Sequence, residues 1–584
     1  MVKILKLIND HKITVILALL TGIIYVAPNL IFAGQKNYKG IQLMNLDAEV
    51  FYSARIKEVI EGHKDYTSTY FYEYKDGKES IYQYIDIAVG MFLRYVKIDL
   101  VSFFTYSKFV FTIISFQLWY YFSYLISKRK LVGILSAVLL FLGYHLFDVP
   151  NVINQFKIIF FKSGDLSPLV FGRFPSPLLT YPFFILGLIF AFLFFKESTK
   201  KHAMVLGLLA SLNLYLYAFF GVYLLALIFI ILIYFIIRNN RESLKNFIYL
   251  TLTALIASGY YIYYLFKVMF LGSINNATAG SYSVYSLSHR PLMPKVLIIG
   301  FLMMAVYLLY CKYRSLKPAK EKIFLIILLF TSAFSLNQQI ITGKLVEDGH
   351  FHWYINKPIF YLVFCILFVW FFELLANKKL LKLYLLKLIF SFFVIYSIFL
   401  GIGVQASSYK NSYNEYANQQ KYRPFIDWLN NNSQPESVVL ANQKLSLLIP
   451  VYTHNNIYYV RSYPIHFSTY SLDRRINSVC LSLYLEKGES AKEEIYNLAE
   501  IQNIYGSYIY FNYYQNRMPQ DLVEKIINKC NEYYQNPIRT NLGQYRLDYI
   551  IFDKDEDKNW PIQSFDFIEP IYKYENIVLY KVIF

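Results

Sequence analysis

Residues 11 to 33 read HKITVILALLTGIIYVAPNLIFA, and residues 41 to 63 read IQLMNLDAEVFYSARIKEVIEGH. After Lys12 the first stretch carries no charge. A bilayer core ~30 Å thick is crossed by ~20 apolar residues in a helix, and this run is long enough. The second stretch has the apolar spacing of a helix and sets two carboxylates, Asp47 and Glu49, just beyond the membrane. The fold is read outward from a span whose mouth carries acids.

Composition repeats that theme along the chain. Of 584 residues, 56% are hydrophobic and 16% are charged, well below the ~25% charge of an ordinary soluble domain. About eleven apolar runs read as transmembrane helices, near residues 11–33, 101–127, 131–149, 178–195, 203–219, 220–237, 246–270, 294–311, 323–336, 358–376 and 383–404. The net charge of +18 forms no nucleic-acid patch. Its Lys and Arg residues fall in short connectors: KRK at 128, KESTKKH at 196, RNNRESLK at 238, KYRSLKPAKEK at 312 and NKKLLKLYLLK at 377. The positive-inside rule makes these connectors, and the basic MVKILKLINDHK at the start, cytoplasmic. Residues 34–100 then form a large first exterior loop, and an odd number of spans places the tail outside. No small-residue cleavage site follows the first run, which reads as a retained signal anchor.

The expected division is a transmembrane body over 1–404 and a soluble exterior α/β domain over 410–584. In the tail, helical periods (YRPFIDWLNNN, SAKEEIYNLAEIQNI, PQDLVEKIINKCNEYY) alternate with β-branched or aromatic runs (SVVLANQ, IYYVRS, SYIYFN, DYIIFDK, NIVLYKVIF). Cys311 and Cys365 sit in or beside spans, while Cys480 and Cys530 share the tail and can pair if the fold brings them together. There is no CxxC, zinc spacing, Walker loop or GxGxxG. The 57 Tyr and 51 Phe rise together with Lys, Asn and Ile, as AT-rich coding would produce, so no single aromatic stands out as a sugar platform.

Asp47 can serve in two ways. It can cap a helix AEVFYSARIKEVIEG whose apolar face is Val50, Ala54 and Val59 and whose stop is Gly62. A carboxylate at the membrane surface beside Tyr52 and Arg55 can also act as a general base. Here the chain resembles the C-type glycosyltransferases of membranes (GT-C), which include oligosaccharyltransferases, protein mannosyltransferases and aminoarabinose transferases. The motif carrying the resemblance is NLDAEVFYSAR, within a layout of one span, a large acidic first exterior loop, a many-span body and a soluble exterior tail. Three further segments, GRFPSPLLTYP at 172, NQQIITGKLVEDGHFHW at 337, and DYIIFDKDEDK with YENIVLYKV, look like those of bacterial and archaeal membrane proteins of this layout. The resemblance implies transfer of a sugar from a polyprenyl-phosphate carrier to an exterior glycan, lipid or protein acceptor. It makes Asp47 the catalytic carboxylate, with Glu49 the second choice.

Such chemistry needs few residues. An acceptor hydroxyl loses a proton as it attacks the anomeric carbon, so one base suffices. A lipid phosphate leaves as a stable anion and needs positive charge rather than a general acid, unlike the two opposed carboxylates of glycosidases. Arg173, before a span in a Pro-punctuated turn, can fork onto phosphate oxygens or simply reach for headgroups. Arg55 is a second cation in the motif. Asp148 and Asp165 share the second exterior loop and could hold a divalent cation (Mg or Mn) with Asp47, as second-loop acids do in oligosaccharyltransferases. Lys344, His350 and His352 lie with Glu347, Asp348 and Trp353 outside the tenth span, placed to bind donor phosphate or sugar, or to sit in the interfacial aromatic belt. The loop GSINNATAGSYSVYSLSHRPLMPK has the profile of a mobile cover. A transporter would instead show ionisable residues at mid-span, and a non-catalytic scaffold gives no reason for acids and histidines at one membrane face. A glycan polymerase or ligase is the nearer alternative.

Overall fold

The computed structural model describes residues 11–46, 48–63, 69–75, 84–148, 151–161, 164, 166–266, 284–287, 289–377, 383–460, 471–495 and 520–584. Some of its helices start at a side-chain cap. Asp99 Oδ1 accepts from the amides of Val101 and Ser102 at 2.9 and 3.0 Å and opens the helix Leu100–Ser127. Thr199 does the same for Lys200–Leu216 through the amide of His202. Each cap satisfies donors that the first helical turn leaves without a partner.

Six described helices are long and apolar enough to cross a membrane: Lys12–Ala33, Leu100–Ser127, Ala218–Ile237, Lys295–Tyr313, Asp348–Leu375 and Lys387–Asn432. This is fewer than the expected eleven. The other runs are helical, but Lys130–Phe141 has 12 residues, and Tyr181–Glu197, Lys200–Leu216 and Lys320–Leu336 have 17 each. At ~1.5 Å per residue these reach ~18–26 Å, short of a ~30 Å core. Arg241–Phe266 is longer but opens on a charged turn.

The helices share one apolar core and have two chemically distinct ends. At one end the basic connectors meet: Ser198 and Ser243 hydroxyls lie 2.6 Å apart, Lys196 pairs with Glu321 and Arg129 with Glu373. At the other end lie the first loop, residues 172–174, the turn at Tyr217, the His350 segment and the tail.

The first loop contains two packed helices, Glu49–Glu61 and Tyr84–Val96. The first ends at Gly62, whose φ of +118° lies in the left-handed region open to glycine. The tail holds a five-stranded sheet: β3 (Val438–Leu440), β4 (Asn456–Ile457), β5 (Tyr549–Asp553), β6 (Ile568–Tyr574) and β7 (Ile577–Val582), in the order β4-β3-β5-β7-β6. β4, β3 and β5 are parallel, and β7 and β6 are antiparallel to their neighbours. Alternation splits the side chains. Val438, Leu440, Ile550 and Phe552 pack under the helices Leu472–Lys487 and Gln520–Gln535. Val439, Ala441, Ile551, Ile577 and Leu579 share a core with Ile41, Leu43, Phe51, Ile56 and Tyr70 of the first loop. Gln420 clasps the two parts, accepting from the amides of Lys39 and Ile41 and donating to the Ile41 carbonyl.

Cys480 and Cys530 are joined in a disulfide that links those two tail helices, so the two cysteines do meet. The expected strand SYIYFN and most of the expected helix SAKEEIYNLAEIQNI lie outside the described residues. So do residues 272–283 of the expected cover, while its Val284–Leu287 (β1) pairs with Lys344–Val346 (β2).

Candidate active site at the loop end of the helices

Asp47 and Asp165 lie outside the described residues, so the site is built from their neighbours. The residue after Asp47, Ala48, stands at the N-cap of Glu49–Glu61 with φ of +62°, and its own side chain provides no cap. Glu49 is fully buried and closes the turn itself. Its Oε2 accepts from the Leu46 amide at 3.2 Å, and its Oε1 accepts from the Phe174 amide at 3.1 Å and pairs with Lys108 Nζ at 2.9 Å. Burial pushes the Glu49 carboxyl up, and Lys108 with the two amides offsets only part of that rise. One carboxylate thereby ties the first loop to the second and to the helix Leu100–Ser127. A Cβ on Gly172 would stand 3.0 Å from the Tyr25 ring and 3.7 Å from Leu46, so the GRFP segment passes tightly beside the residues preceding Asp47.

Arg173 is held from three sides. Its Nε donates to the Ser176 carbonyl at 2.7 Å, its Nη2 donates to the Tyr217 hydroxyl at 3.4 Å, and its guanidinium lies 5.4 Å from the Tyr354 ring centroid. Tyr217 Oη is 2.9 Å from His350 Nδ1, and His350 Nε2 is 3.3 Å from Glu347 Oε1. These contacts join a guanidinium, a phenol, an imidazole and a carboxylate in one chain, the guanidinium donating to the phenol. The segment after His350 is a π turn, His352–Asn356, before the helix Lys357–Asn377, and the Trp353 carbonyl accepts from Tyr144 Oη at 3.0 Å. Single π turns recur at functional sites.

The remaining expected residues are placed differently. Arg55 is buried and pairs with Asp86 of the second loop helix at 3.1 Å. Asp148 is bound by Lys357 Nζ at 2.8 and 3.0 Å and by His145 Nδ1 at 2.9 Å. Burial raises the Asp148 carboxyl, and His145 and Lys357 together outweigh it, holding the group below its ordinary range. A cation at Asp148 would have to displace that ammonium. Among the described residues no group of three or more His, Cys, Asp or Glu is placed to hold a metal. His352 lies two residues from His350 but outside the Arg173 chain, and Lys344 lies in β2, in register with Leu287. Sequence reading missed Tyr217, one of 57 tyrosines, and Lys108. The signal for Lys108 was available: it is a lone charge inside an expected span.

No protein-family model matches the chain, and no curated protein matches it. Two solved structures of the Archaeoglobus fulgidus oligosaccharyltransferase are similar to it. One is tethered through a disulfide to an acceptor peptide containing the NVT sequon, with a TM-score of 0.40 and 12% identity over 93% of this chain and 69% of that one. The other is the apo form, with a TM-score of 0.41 and 11% identity over 93% of this chain and 70% of that one.

Proposed function

We propose that this chain is an integral-membrane glycosyltransferase that moves a sugar from a polyprenyl-phosphate-linked donor to an acceptor on the exterior face. The observation carrying this reading is the meeting of the Leu46–Glu49 turn, Phe174, Arg173, Tyr217 and His350 at one end of an apolar helical body. That end is assigned to the exterior, with the N-terminus and basic connectors cytoplasmic and about eleven segments traversing or entering the membrane.

In the reaction the acceptor hydroxyl oxygen attacks the anomeric carbon and its proton passes to Asp47. The bond from that carbon to the phosphate oxygen breaks, and the electron pair leaves on the lipid phosphate. Arg173 supplies the positive charge for that anion, with Tyr217 and His350 fixing its orientation. Glu49 and Lys108 hold the turn that presents Asp47, and Arg55 holds the loop helices together. Asp148 is bound by Lys357, so the positive charge for the leaving phosphate is assigned to Arg173. The test is sugar transfer by purified protein in lipid, with polyprenyl-phosphate sugars as donors. Transfer that depends on Asp47 supports the reading, and absence of transfer from every donor by folded protein overturns it.

A further inference from the structure

The tail contains a cavity of about 180 Å³ lined by Asn442, Lys444, Tyr459, Glu486, Asp557 and Trp560, together with Ser482 and Glu556. It lies just past the carboxyl ends of the parallel strands β3 and β5, where ligands bind in open sheets of this kind. Its walls are fixed by their own bonds. Tyr459 Oη donates to Ser482 Oγ at 2.7 Å, and Ser482 Oγ donates to Glu486 Oε1 at 3.3 Å. Asn442 caps the helix Gln443–Tyr452 through the Leu445 amide at 3.0 Å while its amide reaches Asp557 Oδ2 at 3.4 Å. The helix bearing Ser482 and Glu486 is anchored by the Cys480–Cys530 disulfide.

The lining selects among ligand classes. Lys444 is tied to Glu556 at 2.9 Å, so a phosphate or carboxylate would also face Glu486 and Asp557. A metal ion has no site, because the neighbouring Asp553 is held by Lys421 at 2.6 Å and no metal-holding group occurs among the described residues. A purely apolar ligand would strip water from the carboxylates. An indole and a phenol beside an amide, a hydroxyl and carboxylates match the mixed surface of a sugar ring, with its apolar C–H face and its ring of hydroxyls.

We infer that this cavity is a binding subsite for an uncharged sugar residue of the acceptor, with Trp560 and Tyr459 forming its apolar wall. The word acceptor rests on the glycosyl-transfer reading, whereas the binding is measurable alone. The experiment is saturation-transfer NMR on the full chain in lipid nanodiscs. The probes are the methyl glycosides of glucose, galactose, mannose and N-acetylglucosamine, with methyl glucuronide and methyl glucosaminide as charged controls. At least one uncharged glycoside should bind saturably. Trp560→Leu should weaken it about tenfold, equivalent to ~1.4 kcal/mol, and Trp560→Phe should retain it. Glu486→Gln, which changes charge and keeps shape, should weaken the same glycoside by about threefold even if the Leu variant melts early. Asp47→Asn should bind like the parent protein whether or not it transfers sugar, which separates failure of the subsite from failure of the reaction. Three results overturn the inference: no uncharged glycoside binding to folded protein, binding unchanged by Trp560→Leu or Glu486→Gln, and binding confined to a charged probe.

Discussion

Tyr217 and Lys108 show how single residues join parts of this molecule that the chain order keeps far apart. Lys108 reaches Glu49 from a different helix, and Tyr217 links Arg173, 44 positions before it, to His350, 133 positions after it. Neither connection has a local signature: the first is one ammonium in an apolar run, and the second is one phenol among many. Asp47 and Glu49, two positions apart in the motif, should separate on substitution. Asp47→Asn should leave the melting temperature near that of the parent and remove a general-base contribution of ~10²–10⁴ in transfer rate. Glu49→Gln should lose stability first, by roughly 3–5 kcal/mol, because it leaves the buried Lys108 ammonium without its counter-charge. Parallel melting curves and transfer assays distinguish the two. Full activity in Asp47→Asn would remove Asp47 as the base. Arg173→Lys should also be impaired despite keeping its charge, since an ammonium cannot serve the Ser176 carbonyl, the Tyr217 hydroxyl and a phosphate in one plane. Equal activity of the Lys variant would return Arg173 to a headgroup contact.

Among the elements, the first-loop helix pair shows what patterning reveals and what it conceals. The helix after Asp47 and its stop at Gly62 follow from spacing and a terminal glycine. The close approach of the second helix does not, because nothing in sequence marks Gly90 as a contact. A Cβ there would lie 2.5 Å from Val59 Cβ and 2.9 Å from the Ile56 carbonyl. Gly90→Ala should therefore wedge the pair apart and cost ~1–3 kcal/mol, read as a lower melting temperature. Glu58 on the same pair sets a pH dependence. Burial pushes its carboxyl up to about 7 even with Lys75 at 3.1 Å, whereas an unfolded glutamate titrates near ~4.3. The stability it contributes is full below that lower value and is lost as pH rises through about 7. Melting temperature should fall across that interval, and Glu58→Gln should flatten the profile. In the tail, β3, β5 and β7 were readable as β-branched runs, but β6 was not. Its sequence, IEPIYKY, carries a proline and charges, which suit the edge position it occupies and hide it from a pattern search.

At the scale of the whole molecule, charge placement was legible and span number was not. Basic connectors gather at one end because each is short and lies between apolar runs, whereas runs of 12 to 17 helical residues leave the count of complete crossings open. Single cysteines at positions 60, 240 and 317, in a background lacking Cys311 and Cys365, should react with an impermeant thiol reagent from outside only at 60. Exterior reaction at 317 would reverse the orientation and with it the donor's side. The sheet has a practical consequence as well. One of its faces, Val439, Ala441, Ile551, Ile577 and Leu579, is covered by the tail's own helices Arg423–Asn432 and Gln443–Tyr452, and the first-loop helix Glu49–Glu61 packs against the second of these. A fragment of residues 410–584 produced alone should precipitate or recruit detergent, since the side of the helix Gln443–Tyr452 that meets the first loop would become an exposed apolar surface in water. Supplying residues 34–100 in trans, or joined by a linker, should restore a monodisperse particle. The segment that crystallographers would trim away as a membrane-protein loop is, for the tail, the outer layer that its own helix Gln443–Tyr452 rests against.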